Sequence, residues 1–153
     1  MHSPTNKAAK GTKYILEAFE KLKRRYKDVE LLLVEGVPHS KVRELYAQAD
    51  VAIDQLLCGW YGGVAVEMMA LGKPVVCYIR EEDLKFIPSQ MKDDLPLVNA
   101  NPNTIYEVLS RLVEQQDQLH LIGERSRAYV ERWHDPMKIA ERMKEAYESL
   151  CAR

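Results

Sequence analysis

Two adjacent glycines, Gly62 and Gly63, stand just before the apolar stretch 64–71, and Glu67 is the one charged residue inside that stretch. A glycine turn that opens a helix leaves backbone N–H groups without intrahelical acceptors, and such groups stabilise an anionic ligand such as phosphate. A carboxylate within an apolar helix is costly unless a donor meets it, so Glu67 calls for a partner or a ligand hydroxyl. Helical side chains lean toward the N-terminus, which would hang a carboxylate one turn after Gly63 over the glycine turn itself. Lys7 and Lys10, in the polar segment MHSPTNKAAKG, deliver cations to the start of another helix, a combination suited to phosphate. Each feature also has an ordinary structural reading. The glutamate complements the helix dipole, the glycines let a helix pack closely on a strand, and loop lysines are solvated.

The elements that must position these residues alternate along the chain. Residues 12–26 carry Ile15, Ala18, Phe19 and Leu22 at the spacing of one helical face. Residues 29–34 are a continuous apolar run, of the kind buried on both faces of a parallel sheet. Ser40 is placed to cap a helix bearing Val42, Leu45, Tyr46 and Ala49, and residues 51–54 form the next strand. The buried helix 64–71 is stopped by Gly72 and Pro74, strand 74–79 follows, 80–94 is a charged connection, and 95–99 is a short last strand. This order calls for an α/β fold: a Rossmann-like, doubly wound parallel sheet with helices on both faces and right-handed crossovers. The end is a helical C-terminal tail. Ile105, Val108, Leu109 and Leu112 mark one helix, 119–133 a second, and Asp135-Pro136 starts a third with Ile139, Ala140, Met143, Tyr147 and Leu150 inward.

The 153 residues suit one domain, residues 1–153. With 22 Lys+Arg against 23 Asp+Glu, interspersed, there is no basic footprint for nucleic acid. Cys58, Cys77 and Cys151 are odd in number and widely spaced, and the four histidines form no metal-spaced cluster. Free thiols in a reducing cytoplasm fit this pattern. No apolar run approaches the length of a membrane span, while association with a membrane surface stays open.

Lys10-Gly11-Thr12 before a helix, ELYAQADVAIDQ at 44–55, GGVAVEMMALGKPVV at 62–76 and the closing WHDPMKIAERMKEAYESL are together a specific combination. It resembles the C-terminal, donor-binding domain of the family 4 (group 1) glycosyltransferases of GT-B fold, over essentially the whole chain. The resemblance implies a hexosyltransferase-like enzyme, retaining and metal-independent, that takes a nucleotide sugar as donor substrate and needs no cofactor. It implies that Lys10 meets the donor diphosphate and stabilises it as it leaves, that the turn at Gly62 and Gly63 faces phosphate and sugar, and that Glu67 accepts from the ribose. Lys7, Val37, Pro38 and Val64 complete the implied donor-binding set, with no catalytic side chain assigned beyond Lys10. The family's first signature glutamate would stand at Gly59, and between Val29 and Asp50 there is one strand where the family commonly has two. Met1-His2 falls where the first strand of such a domain should be ending, so the sheet is expected to have a very short central strand. The N-terminal acceptor domain is expected to be absent from these residues, in cis or as a separate subunit. The isolated chain is then expected to be inactive, with homodimerisation a way to cover its gap, and membrane contact a property of the full enzyme.

Other readings stay open beside this one. A non-catalytic α/β module that binds a nucleotide or a protein is consistent with Gly59. Hydrolysis by Asp54 and Glu67 would need two carboxyl groups about 5 to 9.5 Å apart across a sugar. A dinucleotide oxidoreductase is disfavoured, because no G-x-G-x-x-G follows a strand.

Overall fold

The apolar runs at 51–54, 74–79 and 95–99 do become parallel strands, each shorter than its run. In the computed structural model, which describes residues 1–151, they are β1 (Ala52–Ile53), β2 (Val75–Cys77) and β3 (Val98–Asn99). They lie side by side in that order, with Ala52 opposite Val75 and Val76 opposite Val98. His2 extends the sheet past β1, bridging Ile53 on one side and Leu33 on the other, both in parallel sense. The Ile53 N–H donates to the Met1 carbonyl at 2.8 Å, and the Val34 N–H to the His2 carbonyl at 2.9 Å.

Taken in chain order, the positions across the sheet run second, first, third, fourth, fifth. This is a doubly wound order, and its direction reverses between the His2 and Ile53 segments. The central strand is thus as short as expected. Residues 29–34, expected as a strand buried on both faces, instead contribute the single bridge at Leu33. Among the described residues that segment lies at the edge with a neighbour on one side only, so its ladder bonds all go to His2 and Leu31 to Leu33 stay half-buried.

Eight α-helices stand around the described sheet: α1 (Lys7–Lys10), α2 (Thr12–Arg25), α3 (His39–Gln48), α4 (Gly63–Ala70), α5 (Ser89–Asp93), α6 (Ile105–Glu114), α7 (Leu119–Trp133) and α8 (Pro136–Cys151). The period-two alternation of the strands splits the core between the two faces. Ile53 and Val76 pack with Ile15, Phe19 and Leu22 of α2 and Ile105 and Leu109 of α6. Ala52, Val75 and Cys77 pack on the other face with Tyr46 of α3, Ala65, Met68 and Met69 of α4, and Tyr129 of α7.

Three expectations about the helices change. Ser40 does not cap α3. The helix starts two residues earlier, behind Pro38, whose φ of −57° is set by its ring and whose carbonyl accepts from the Lys41 N–H at 2.9 Å. The connection 80–94 carries a 3₁₀ turn, Glu81–Phe86, and then α5. Of the apolar positions of α8 only Ile139 is even half-buried. Asp135 caps the helix as its sequence implies, with Oδ1 accepting the Met137 N–H at 2.8 Å, yet Met143, Tyr147 and Leu150 are 50, 61 and 63% exposed. A groove of about 420 Å³, lined by Pro88, Met91, Trp133, Ile139 and Met143, separates α8 from α5, and nothing among the described residues covers the remaining apolar positions.

Candidate functional site

The polar segment before Gly11 forms one helical turn, α1, and that turn places Lys10. Asn6 caps it by accepting the Ala9 N–H at 3.0 Å, and the Leu56 N–H donates to the Lys10 carbonyl at 3.1 Å. α1 is thereby stapled to the loop that leaves β1, at the carboxyl ends of the strands where the sheet order reverses. Doubly wound proteins bind their ligands at this place.

Asp54, directly after β1, organises what lies there. Its Oδ1 accepts from the Lys10 ammonium at 2.5 Å, and its Oδ2 accepts from the Gly62 N–H at 2.6 Å. The Asp54 side chain is fully buried, while that of Lys10 is 12% exposed. Lys10 and the glycine turn, far apart in sequence, are therefore brought together as expected. The Gly62 amide, however, is directed at the chain's own carboxylate. That leaves Gly63 and Val64 at the start of α4, whose N–H groups have no acceptor among the described residues.

The loop 55–62 is held from three sides. The Gln55 amide donates to the Trp60 carbonyl, the Arg80 N–H donates to the Gly59 carbonyl at 2.9 Å, and the Trp60 and Tyr61 rings stack. The Tyr61 hydroxyl lies 2.9 Å from both the Tyr129 hydroxyl and His134 Nε2. Burial raises the pKa of both tyrosines and lowers that of His134, so the trio is neutral near pH 7.

Glu67 is engaged within the fold, as a charge in an apolar helix demands. Tyr46 of α3 is a neighbour, and burial first, then the nearby Glu67 carboxylate, push the Tyr46 pKa up to about 12. Glu67 itself is half-buried, one turn past Gly63. Lys7 makes a surface ion pair with Glu35 at 2.8 Å. Val37 packs against the core on the α3 and α4 face, and Pro38 opens α3 exposed, so neither shares a bond with Lys10, Asp54 or Gly62. Asp54 and Glu67 do not form a hydrolytic pair, because Asp54 is buried and committed to two donors.

A glutamate in place of Gly59 would be strained. The φ of Gly59 is +78°, a left-handed conformation, and a Cβ on it would come within 3.2 Å of the Arg80 side chain. Sequence reading weighed Asp54 only as half of a hydrolytic pair, without its bonds to Lys10 and Gly62, and gave Tyr46 no place near the turn. The signal for Asp54 was present, a carboxylate breaking an apolar run just as Glu67 does, whereas Tyr46 reads only as one more apolar position on α3.

No family model matches the chain, and no curated protein does either. Among solved structures it is similar to the sucrose-phosphate synthase of Thermosynechococcus elongatus, with a TM-score of 0.59 and 23% identity. This chain shares the Rossmann-like fold of that glycosyltransferase. The similarity covers 89% of the chain and 34% of the synthase, so the chain spans about a third of that protein's length.

Proposed function

We propose that the chain is the donor-binding half of a GT-B glycosyltransferase of the family 4 kind. It holds a nucleotide sugar, and transfers the sugar only when combined with an N-terminal acceptor domain. The observation that carries this reading is the convergence of the Lys10 ammonium and the start of α4 on one point, where the sheet order reverses. The likeness in fold to a glycosyltransferase supports it. Departure of the sugar breaks the bond between its anomeric carbon and the donor oxygen, and leaves charge on a nucleoside diphosphate. Lys10 and the amides of Gly63 and Val64 are fixed donors for that charge, and need no rearrangement as it grows. Glu67, one turn along α4, is the acceptor for ribose hydroxyls. Anomeric retention without a metal is part of the proposal. So is a reducing, cytoplasmic setting, which the three free thiols support.

Titrating the chain with nucleoside diphosphates in a calorimeter, alongside transfer assays with nucleotide sugars and candidate acceptors, tests the reading. Binding without transfer is expected, because the cleft that positions an acceptor hydroxyl and excludes water needs the other domain. Efficient transfer by the chain alone would overturn the half-enzyme reading. One observation favours a second reading, a nucleotide-binding module without catalysis: Arg80 fills the space beside Gly59, where the resembled family places a carboxylate. Supplying an acceptor domain separates the two, since only the first reading then yields product.

A further inference from the structure

We propose that Asp54 is a positioning residue for donor binding, fixing the Lys10 ammonium and the Gly62–Gly63 turn in one arrangement before any ligand arrives. The inference rests on the reading of this site as a diphosphate site. A ligand does not displace a carboxylate that solvent cannot reach, and the Asp54 side chain is wholly buried beneath a Lys10 side chain that is 12% exposed. Asp54 is thus the floor of the site and leaves the ligand's place open.

The chemistry of the two contacts is specific. An ammonium carries three N–H donors, so one spent on Oδ1 at 2.5 Å leaves two for a ligand. Lysine has a long flexible stem, and an unheld stem must be ordered when the ligand binds, which subtracts from affinity. Gly62 has no side chain of its own to fix its peptide, and the bond from its N–H to Oδ2 at 2.6 Å does so, one residue before the open amides of Gly63 and Val64. Only a carboxylate satisfies both donors. An asparagine offers one acceptor and one NH₂, so either Lys10 or Gly62 would face another donor.

The test uses the full chain as wild type, Asp54→Asn, Lys10→Met and the double variant, titrated with inorganic pyrophosphate, nucleoside diphosphates and the bare nucleosides. Asp54→Asn is expected to weaken diphosphate and pyrophosphate binding by about tenfold or more, with nucleoside affinity nearly unchanged. In the Lys10→Met background the same change should cost little more, because the asparagine oxygen can still accept from the Gly62 N–H and the ammonium that its NH₂ would oppose is gone. Fully additive losses, or equal losses for the bare nucleoside, would overturn the proposal in favour of a purely structural Asp54. Tighter diphosphate binding by Asp54→Asn would overturn it too, making Asp54 a competitor. If Asp54→Asn does not fold, Asp54→Glu retains the charge but displaces it by one methylene. Lower diphosphate affinity with intact nucleoside binding supports positioning, and unchanged affinity overturns it. A wild type that binds neither pyrophosphate nor any diphosphate would remove the donor-site reading and this inference together, a result distinct from binding that Asp54→Asn leaves intact.

Discussion

Asp54 and Glu67 flank one glycine turn, and their surroundings divide the work between them. Asp54 is sealed in and bonded to two donors of the protein, while Glu67 is half-buried beside the Tyr46 hydroxyl and near the mouth. Glu67→Ala should therefore weaken nucleoside diphosphate binding by the worth of charge-assisted hydrogen bonds, roughly 1.5 to 3 kcal/mol or about 10- to 150-fold, without unfolding the chain. Unchanged affinity by calorimetry would take Glu67 out of the site. His2 supplies a second prediction. Its ring is buried between the Ile53 carbonyl, 2.8 Å from Nδ1, and the Thr12 hydroxyl, 2.8 Å from Nε2. Nδ1–H donates to the carbonyl and Nε2 accepts from the hydroxyl, so the ring is held neutral, and burial lowers its pKa below the ordinary 6.5. The folded pKa is the depressed one, so the unfolded chain binds more protons as the pH falls below 6.5 and stability is lost with acidification. His134 is shifted in the same direction. Urea melts should show stability falling below about pH 6.5, by up to about 1.4 kcal/mol per pH unit for His2 and by less for the more solvated His134, with the His2 share absent in His2→Gln. A flat profile would contradict this. The need of Glu67 for a partner was legible in sequence because a charge in an apolar helix is costly. The nearness of Tyr46 was not, since it comes beside Glu67 only in the folded chain.

The packing of α4 against α7 shows what spacing can and cannot reveal at the level of elements. The glycine turn, the span of α4 and the bounds of α7 follow from local signals, namely paired glycines, an apolar run and a proline just beyond a helix end. The approach of Gly123 in α7 to the end of α4 does not, because it depends on where two distant helices meet. A Cβ on Gly123 would lie 2.0 Å from the Gly72 carbonyl oxygen, which is backbone and cannot rotate aside. Gly123→Ala should accordingly destabilise the fold by about 1 to 3 kcal/mol or more, despite the better helix propensity of alanine. A denaturation midpoint equal to or above that of the wild type would show that the helices separate easily. The edge segment around Leu33 was misjudged for a related reason. Its apolar composition fits a strand buried on both sides, but composition does not say which strand will lack a neighbour.

For the molecule as a whole, order and layering were readable because strand and helix alternate with short joints, and that alternation admits few topologies. The face of α8 was not, since an amphipathic pattern shows that a face is apolar without showing what covers it. With Met143 and Leu150 exposed here, Met143→Glu and Leu150→Glu should each shift the stability of this chain by no more than about 0.5 kcal/mol. A larger loss in chemical denaturation would mean that α8 is buried in solution. None of the described helices is long and apolar enough to cross a membrane. The open end of the sheet, at Lys10 and the start of α4, is the proposed site for a nucleoside diphosphate. The most direct measurement is a ¹H–¹⁵N spectrum of the labelled chain titrated with a nucleoside diphosphate, repeated with Lys10→Ala and with the bare nucleoside. A diphosphate site there predicts that the amide signals of Gly63 and Val64 shift first and most. It predicts that α8 is silent, and that Lys10→Ala weakens the diphosphate response far more than the nucleoside response. Absence of any shift at Gly63 and Val64, or a diphosphate response untouched by Lys10→Ala, would contradict it.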